Sequence, residues 1–249
     1  MKLIHKFKSL NFDNRIGKKV SYIILHYTAL PSIDESISFL CNTENKVSCH
    51  YIISQSGKIY NLVNEKKRAW HAGQSYWLEE KDLNSTSIGI ELDFSPNHEN
   101  NKFSKLLIDS LIELIRYIKK KYKIDKNNIL AHSDIAPYRK IDPGEKFPWN
   151  KLYNLNLSYN PQKVKTRDLI KMKNWFKKNK IDKNEKKILI MLNIIGYDIS
   201  KSIRNKYYYG VLIGNYKNRF LQKVNFKNSE IKLINFIELH TCNLLLTKI

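Results

Sequence analysis

The chain has 249 residues, 42% of them hydrophobic, and carries 44 Lys and Arg against 23 Asp and Glu, a formal net charge of +21. That length supports one good core, or one core and a small second module. No apolar run is long enough to predict a membrane-spanning helix, and three cysteines (Cys41, Cys49, Cys242) without CxxC spacing exclude a disulfide framework and a thiolate zinc knuckle.

The N-terminal stretch MKLIHKFKSLNFDNR is basic but has no apolar region of signal-peptide length, so a cytoplasmic location is expected, with export by another route as the alternative. VSYIILHY, residues 20–27, reads as a short buried strand ending at His26. Ile33, Ile37 and Leu40 recur at helical spacing behind Pro31 and Ser32. CHYIIS and KIYNLV flank Gln55-Ser56-Gly57 as a hairpin. Residues 65–85 read as a long, aromatic and charged loop, the kind that is often functional. SIGIELDF is a further strand, and Phe103, Leu107, Leu111, Ile115, Ile118 and Tyr122 mark one face of a long helix. NILAH is a short strand that opens into a crowded loop. Strands alternate with helices, so residues 1–158 are expected to form an α/β domain.

After Pro161 the pattern changes. Helices are expected over 165–180, over ILIMLNIIGY with a stop at Gly196, and over 231–246, giving a small, mostly helical module at 159–249. The charge shifts too: residues 1–155 carry 24 basic and 17 acidic side chains, residues 156–249 carry 20 and 6. Such a field attracts polyanions, either nucleic acid, an anionic wall polymer or a membrane surface. A bias toward Lys, Asn and Ile throughout the chain is the other source of the charge. No helix-turn-helix, zinc-finger or RNA-recognition signature is present, so no specific nucleic-acid partner is expected.

His26 and His132 stand where strands run into loops, and Asp142 follows ten residues after His132. Two imidazoles and a carboxylate suit a catalytic zinc with one position open to water. A strand-end histidine is otherwise a satisfied structural residue. Glu91, inside an apolar strand, is either a general base with a raised pKa or half of a buried ion pair. If residues 140–142 are extended, Lys140 and Asp142 point to the same side, placing a cation where an oxyanion develops. Lys140 is otherwise solvated surface charge.

HSDIAPYRKIDPGEKFPW, residues 132–149, resembles the C-terminal zinc motif of the type 2 N-acetylmuramoyl-L-alanine amidases, a family that includes anhydro-muropeptide amidases, phage amidases and peptidoglycan recognition proteins. IILHYT, VSCHYIIS, WHAG and IGIEL follow the family's order across residues 18–153. The resemblance implies a central mixed sheet flanked by helices and one Zn2+ held by His26, His132 and Asp142, with Glu91 as general base and Lys140 stabilising the tetrahedral intermediate. Some members place a catalytic Tyr where this chain has Cys49, which leaves the base role to Glu91. Trp70 and His71, with Ala72-Gly73, resemble the part of the cleft that meets glycan or stem peptide, and are otherwise a packed aromatic loop; His50, grouped with them as a substrate-binding candidate, is either a residue supporting the metal ligands from behind or a packed core histidine. KILIMLNIIGYDIS and SEIKLINFIELH resemble a small peptidoglycan-binding module, from which YYYGVLIGNYKNRF departs; the alternative is a helical cap that stabilises the catalytic domain. The implied reaction is hydrolysis of the amide between N-acetylmuramic acid, or its 1,6-anhydro form, and L-alanine of the stem peptide. The alternative is a non-catalytic peptidoglycan-binding protein. The sequence gives no reading of oligomeric state.

Overall fold

Three strands that the sequence marks as apolar and β-branched run side by side at the centre of the fold: Tyr22–Tyr27, Ser87–Leu92 and Ile129–Ala131. The computed structural model describes residues 1–97, 102–159, 166–222 and 230–246. Over these, the chain divides into two compact units, Met1–Ser75 with Lys81–Tyr159, and Tyr76–Glu80 with Asn160–Ile249.

In the first unit the strands in chain order are β1 (Leu3–Ile4), β2 (Phe12–Asn14), β3 (Tyr22–Tyr27), β4 (Tyr51–Ile53), β5 (Ile59–Asn61), β6 (Lys67–Ala69), β7 (Ser87–Leu92) and β8 (Ile129–Ala131). Six form a mixed sheet in the order β1-β5-β4-β7-β3-β8, parallel except for the β4–β5 hairpin. Gly57 turns that hairpin at φ +79, a conformation glycine takes without Cβ strain. Its helices are α1 (Ile33–Cys41), α2 (Leu83–Thr86), α3 (Lys105–Tyr122), α4 (His132–Ile135) and α5 (Trp149–Asn154).

The alternation of strand side chains assigns the two sheet faces different jobs. Ile23, Leu25, Ile88, Ile90 and Leu92 pack with Leu107, Leu111, Ile115 and Ile118 of α3 into the main core. Each such side chain contributes about 1.5–3 kcal/mol when fully buried. Ser104 starts α3 by accepting from the Leu107 amide, and Lys119–Lys121 lie at the negative end of its dipole. On the other face Ile52 packs with Ile37 and Leu40 of α1. The remainder of that face carries His26 and Glu91, register partners on β3 and β7 and therefore neighbours pointing the same way.

The stretch expected to be one loop from 65 to 85 contains β6, which pairs antiparallel with β2 in a separate two-stranded ribbon, and α2. Three-residue strands and a one-turn helix are too short to set up a periodic signal. The second unit holds α6 (Thr166–Lys178), α7 (Asn184–Ile195), α8 (Lys206–Phe220) and α9 (Glu230–Leu246). Gly196 ends α7 as expected, at φ +136. Trp77 belongs to this unit: its ring lies 5.0 Å from that of Tyr197, and the Leu78 amide donates to the Gly196 carbonyl at 3.1 Å. Pro161, where the sequence pattern changes, lies outside the described residues. Among the described residues no helix is long and apolar enough to cross a membrane.

Candidate functional site

His26, His132 and Asp142 form the one group among the described residues in which three or more His, Cys, Asp or Glu ligand atoms all lie within 4.8 Å of one another. β3 delivers His26 from its C-terminal end, β8 runs into His132, and the loop after α4 returns Asp142 to the same point. His26 Nδ1 is 2.8 Å from His132 Nδ1, and Asp142 Oδ2 is 3.0 Å from His132 Nδ1 and 3.2 Å from His26 Nδ1. Three ligand atoms held about 2.0–2.1 Å from a tetrahedral zinc ion stand roughly 3.3 Å apart, so this triangle of nitrogen and oxygen atoms fits the ion in both size and donor type. All three side chains are buried.

The electrostatics agree with that donor set. Burial first, then the neighbouring His132, pushes the His26 imidazole down to about 4 against the pull of Asp142, leaving it neutral at pH 7. Burial alone would raise the Asp142 carboxyl, but His132 and His26 outweigh it and hold the group well below the usual carboxylate range.

Glu91 sits on the same face as His26. Its Oε2 is buried without a hydrogen-bond partner among the described residues. Burial, then repulsion from Asp142, raises the carboxyl to about 8, with Lys140 opposing. A carboxyl poised near neutrality can both accept and return a proton. Lys140, Ile141 and Asp142 all border one cleft of about 350 Å³, together with Tyr27, His71, Glu91, His132 and Arg139.

A second groove of about 380 Å³ shares His71, His132, Arg139 and Lys140 with the first and adds Trp70, Lys46 and Arg68. Trp70 anchors there by donating its indole N–H to Asp13 at 2.7 Å. His71 borders both grooves, yet its two ring nitrogens turn inward, to His26 Nε2 at 3.0 Å and Ser87 Oγ at 3.2 Å. His50 lies deeper and borders neither. Its Nδ1 accepts from the Gly89 amide at 3.0 Å, and its Nε2 lies 3.1 Å from the Lys67 carbonyl and 2.8 Å from the Arg15 guanidinium. Cys49 is fully buried, and burial raises its thiol well above the ordinary value, so it is chemically quiet.

Sequence reasoning passed over Asn84, Gly89, Ser87 and Arg139. Asn84 Oδ1 accepts from both the His71 and Ala72 amides, at 2.9 and 2.7 Å. Arg139 donates to the Ala72 and Gln74 carbonyls at 2.8 and 2.9 Å, clasping the turn at Gly73. A Cβ at Gly89 would overlap the His71 ring. The one available signal was a lone glycine inside an apolar strand, which often marks a close approach.

The sheet carries a buried His-His-Asp cluster, and two of its members, His132 and Asp142, share a cleft with the poised Glu91 carboxyl. The chain belongs to the type 2 N-acetylmuramoyl-L-alanine amidase family, whose model, described as N-acetylmuramoyl-L-alanine amidase, matches residues 16–145. It is 39% identical over 153 residues to N-acetylmuramoyl-L-alanine amidase AmiD of Escherichia coli, covering 54% of this chain and 52% of that one. To 1,6-anhydro-N-acetylmuramyl-L-alanine amidase AmpD of Haemophilus influenzae it is 35% identical over 165 residues, covering 59% and 88%. The chain's match thus spans about half the length of the first relative and most of the second. Among solved structures it resembles E. coli AmiD in complex with the substrate anhydro-N-acetylmuramic acid-L-Ala-D-gamma-Glu-L-Lys. The TM-score there is 0.72 at 26% identity, with 98% of this chain and 93% of that chain covered.

Proposed function

We propose that the chain is a zinc-dependent amidase that hydrolyses the bond between the lactyl group of N-acetylmuramic acid, free or in its 1,6-anhydro form, and L-alanine of the stem peptide. The observation that carries this reading is the His26, His132 and Asp142 ligand cluster, of which His132 and Asp142 line one cleft with Glu91, whose Oε2 has no hydrogen-bond partner among the described residues. Family membership supplies the substrate class. His26, His132 and Asp142 would hold the zinc ion. When bound, it would supply a Lewis acid that polarises the amide carbonyl and acidifies a water molecule.

The chain's own residues supply the remaining chemistry. Glu91 takes a proton from the attacking water and returns it to the nitrogen of the leaving L-alanine, so the C–N bond breaks with expulsion of a neutral amine. Lys140, on the cleft wall beside Asp142, offers a cation to the carbonyl oxygen as charge develops there. Trp70, with Lys46 and Arg139 along the adjoining groove, presents an aromatic face and positive charge to a peptide that bears carboxylates, while Arg68 there is paired with Asp13 and Asp82. The helical unit, with its excess of basic residues, attaches the enzyme to the wall polymer.

The test is product analysis by mass spectrometry after separate incubation of intact sacculi and purified anhydro-muropeptides with zinc-loaded protein. Free stem peptide from either substrate supports the proposal. Release from fragments alone assigns the enzyme to recycling, and release from sacculi to wall remodelling. Zinc-bound protein that releases nothing from either would favour a recognition protein.

A further inference from the structure

Of the WHAG residues, His71 has both ring nitrogens engaged inside the protein, and the hydrogen bonds around it have a single consistent direction. The Ser87 hydroxyl has one proton, and the Leu83 carbonyl, which can only accept, takes it. Ser87 Oγ must therefore accept from His71, which puts a proton on His71 Nε2. In a neutral ring His71 Nδ1 is then a lone pair, and it faces His26 Nε2 at 3.0 Å. His26 donates there and carries its proton on Nε2. Its Nδ1 is left as the lone pair turned toward His132 and Asp142. A parallel arrangement acts on the second histidine: His132 Nε2 lies 3.3 Å from the Ala72 carbonyl, an obligate acceptor, so its proton is also held away from the cluster.

We propose that the His71-Ala72 pair is a positioning device that fixes both ligand histidines in the Nε2–H tautomer and orients their Nδ1 atoms for metal. This rests on the zinc reading of the site. His71 does the larger share, through the chain Leu83–Ser87–His71–His26. Gly89 gives the imidazole room to lie against the sheet, since any Cβ there would collide with it. Asn84 fixes the backbone of both residues through their amides. Outer hydrogen bonds of this kind set the orientation and basicity of a ligand imidazole. His71 thereby acts through His26 rather than on substrate.

The full chain, loaded with zinc, allows a test that needs no turnover. Long-range 1H–15N NMR on the histidine rings should show His71 protonated on Nε2 and unprotonated on Nδ1. The reverse tautomer, or a doubly protonated His71 ring, would overturn the proposal. Zinc affinity measured by chelator competition supplies the second arm. Leu at position 71 keeps the bulk but removes the acceptor, whereas Asn restores an acceptor near the Nδ1 position. H71L should bind zinc roughly 10–100-fold more weakly than wild type, with H71N recovering most of that loss. Equal affinities for H71L and wild type would overturn the relay. S87A, which leaves His71 in place, covers the case of a misfolded H71L: it should show a mixture of His71 tautomers. An unchanged single Nε2–H tautomer in S87A would remove Ser87 from the relay and overturn it. Failure of wild-type protein to bind zinc would instead sink the zinc reading itself, so the two failures are distinguishable.

Discussion

In the proposed reaction Glu91 is the residue on which the chemistry turns, and its environment makes its behaviour testable in two ways. Substituting Glu91→Gln keeps shape and hydrogen-bonding capacity but removes the base. Turnover should fall by roughly 10²–10⁴-fold, while zinc occupancy, measured by metal analysis, stays at the wild-type level. Full activity in that variant would exclude the base assignment. Asp142→Ala or His26→Ala should differ in kind, losing zinc along with activity, because each removes an atom of the ligand triangle. The second test concerns stability. In the metal-free protein the Glu91 carboxyl is raised to about 8, against about 4.3 for an unfolded chain. Between those values the folded state holds a proton that the unfolded state has released, so this group makes stability fall as pH rises through the window. His26, lowered to about 4, works in the opposite direction between that value and about 6.5, the unfolded histidine value. The comparison must therefore be differential. Relative to Glu91→Gln, metal-free wild type should lose stability steadily from pH 5 to pH 8 in denaturant titrations. A constant difference between the two would show that Glu91 is not shifted.

At the scale of elements, the sequence exposed what periodicity can expose. β3, β7 and β8 were readable as apolar runs, α3 as a stripe at i, i+4, and the β4–β5 hairpin from its Gly57 turn. His26 and His132 stood out because each lay at the end of such a run, and Glu91 because it interrupted one. The partners that hold those groups in place were not readable. His71 meets His26 across 45 residues and Asn84 meets the His71 amide across 13, contacts that only folding creates. α8 was missed for another reason: YYYGVLIGNYKNRF mixes aromatic, apolar and polar residues around its circumference and includes Gly210 and Gly214, both poor helix formers. Gly89 links element to site. Gly89→Ala sets a methyl group against the His71 ring within a filled core, which should cost about 1–3 kcal/mol. It should also weaken zinc binding, by displacing the imidazole. Equilibrium unfolding in urea reads the first effect and chelator competition the second. An alanine variant with wild-type values in both would show that the His71 ring can move aside at no cost. Asn84→Ala leaves two buried amides without their acceptor, each worth about 1–3 kcal/mol, and should destabilise comparably without filling any space.

For the molecule as a whole, charge separates what the two units are expected to do. Residues 156–249 carry 20 basic and 6 acidic side chains, residues 1–155 carry 24 and 17. In the proposed reaction a low-molecular-weight muropeptide entering the cleft would meet short-range groups: the ligand cluster, Glu91 and Lys140. An extended, anionic wall polymer instead samples the field of the whole basic surface. Salt acts differently on these two interactions. The Debye length falls from about 10 Å at 0.1 M to about 3 Å at 1 M, so attraction between exposed charges weakens steeply while buried groups are affected far less. If the helical unit attaches the enzyme to wall polymer by charge, pelleting with purified sacculi should fall sharply between those salt concentrations. Hydrolysis of soluble anhydro-muropeptide should change much less over the same range. Replacing four or five Lys of α6 and α7 with Gln should mimic high salt in the pelleting assay and leave fragment hydrolysis near the wild-type rate. Pelleting that persists at 1 M salt and in the Lys→Gln protein would instead locate attachment in shape-specific contacts, and the basic excess would then reflect the Lys-rich composition of the chain rather than a binding surface.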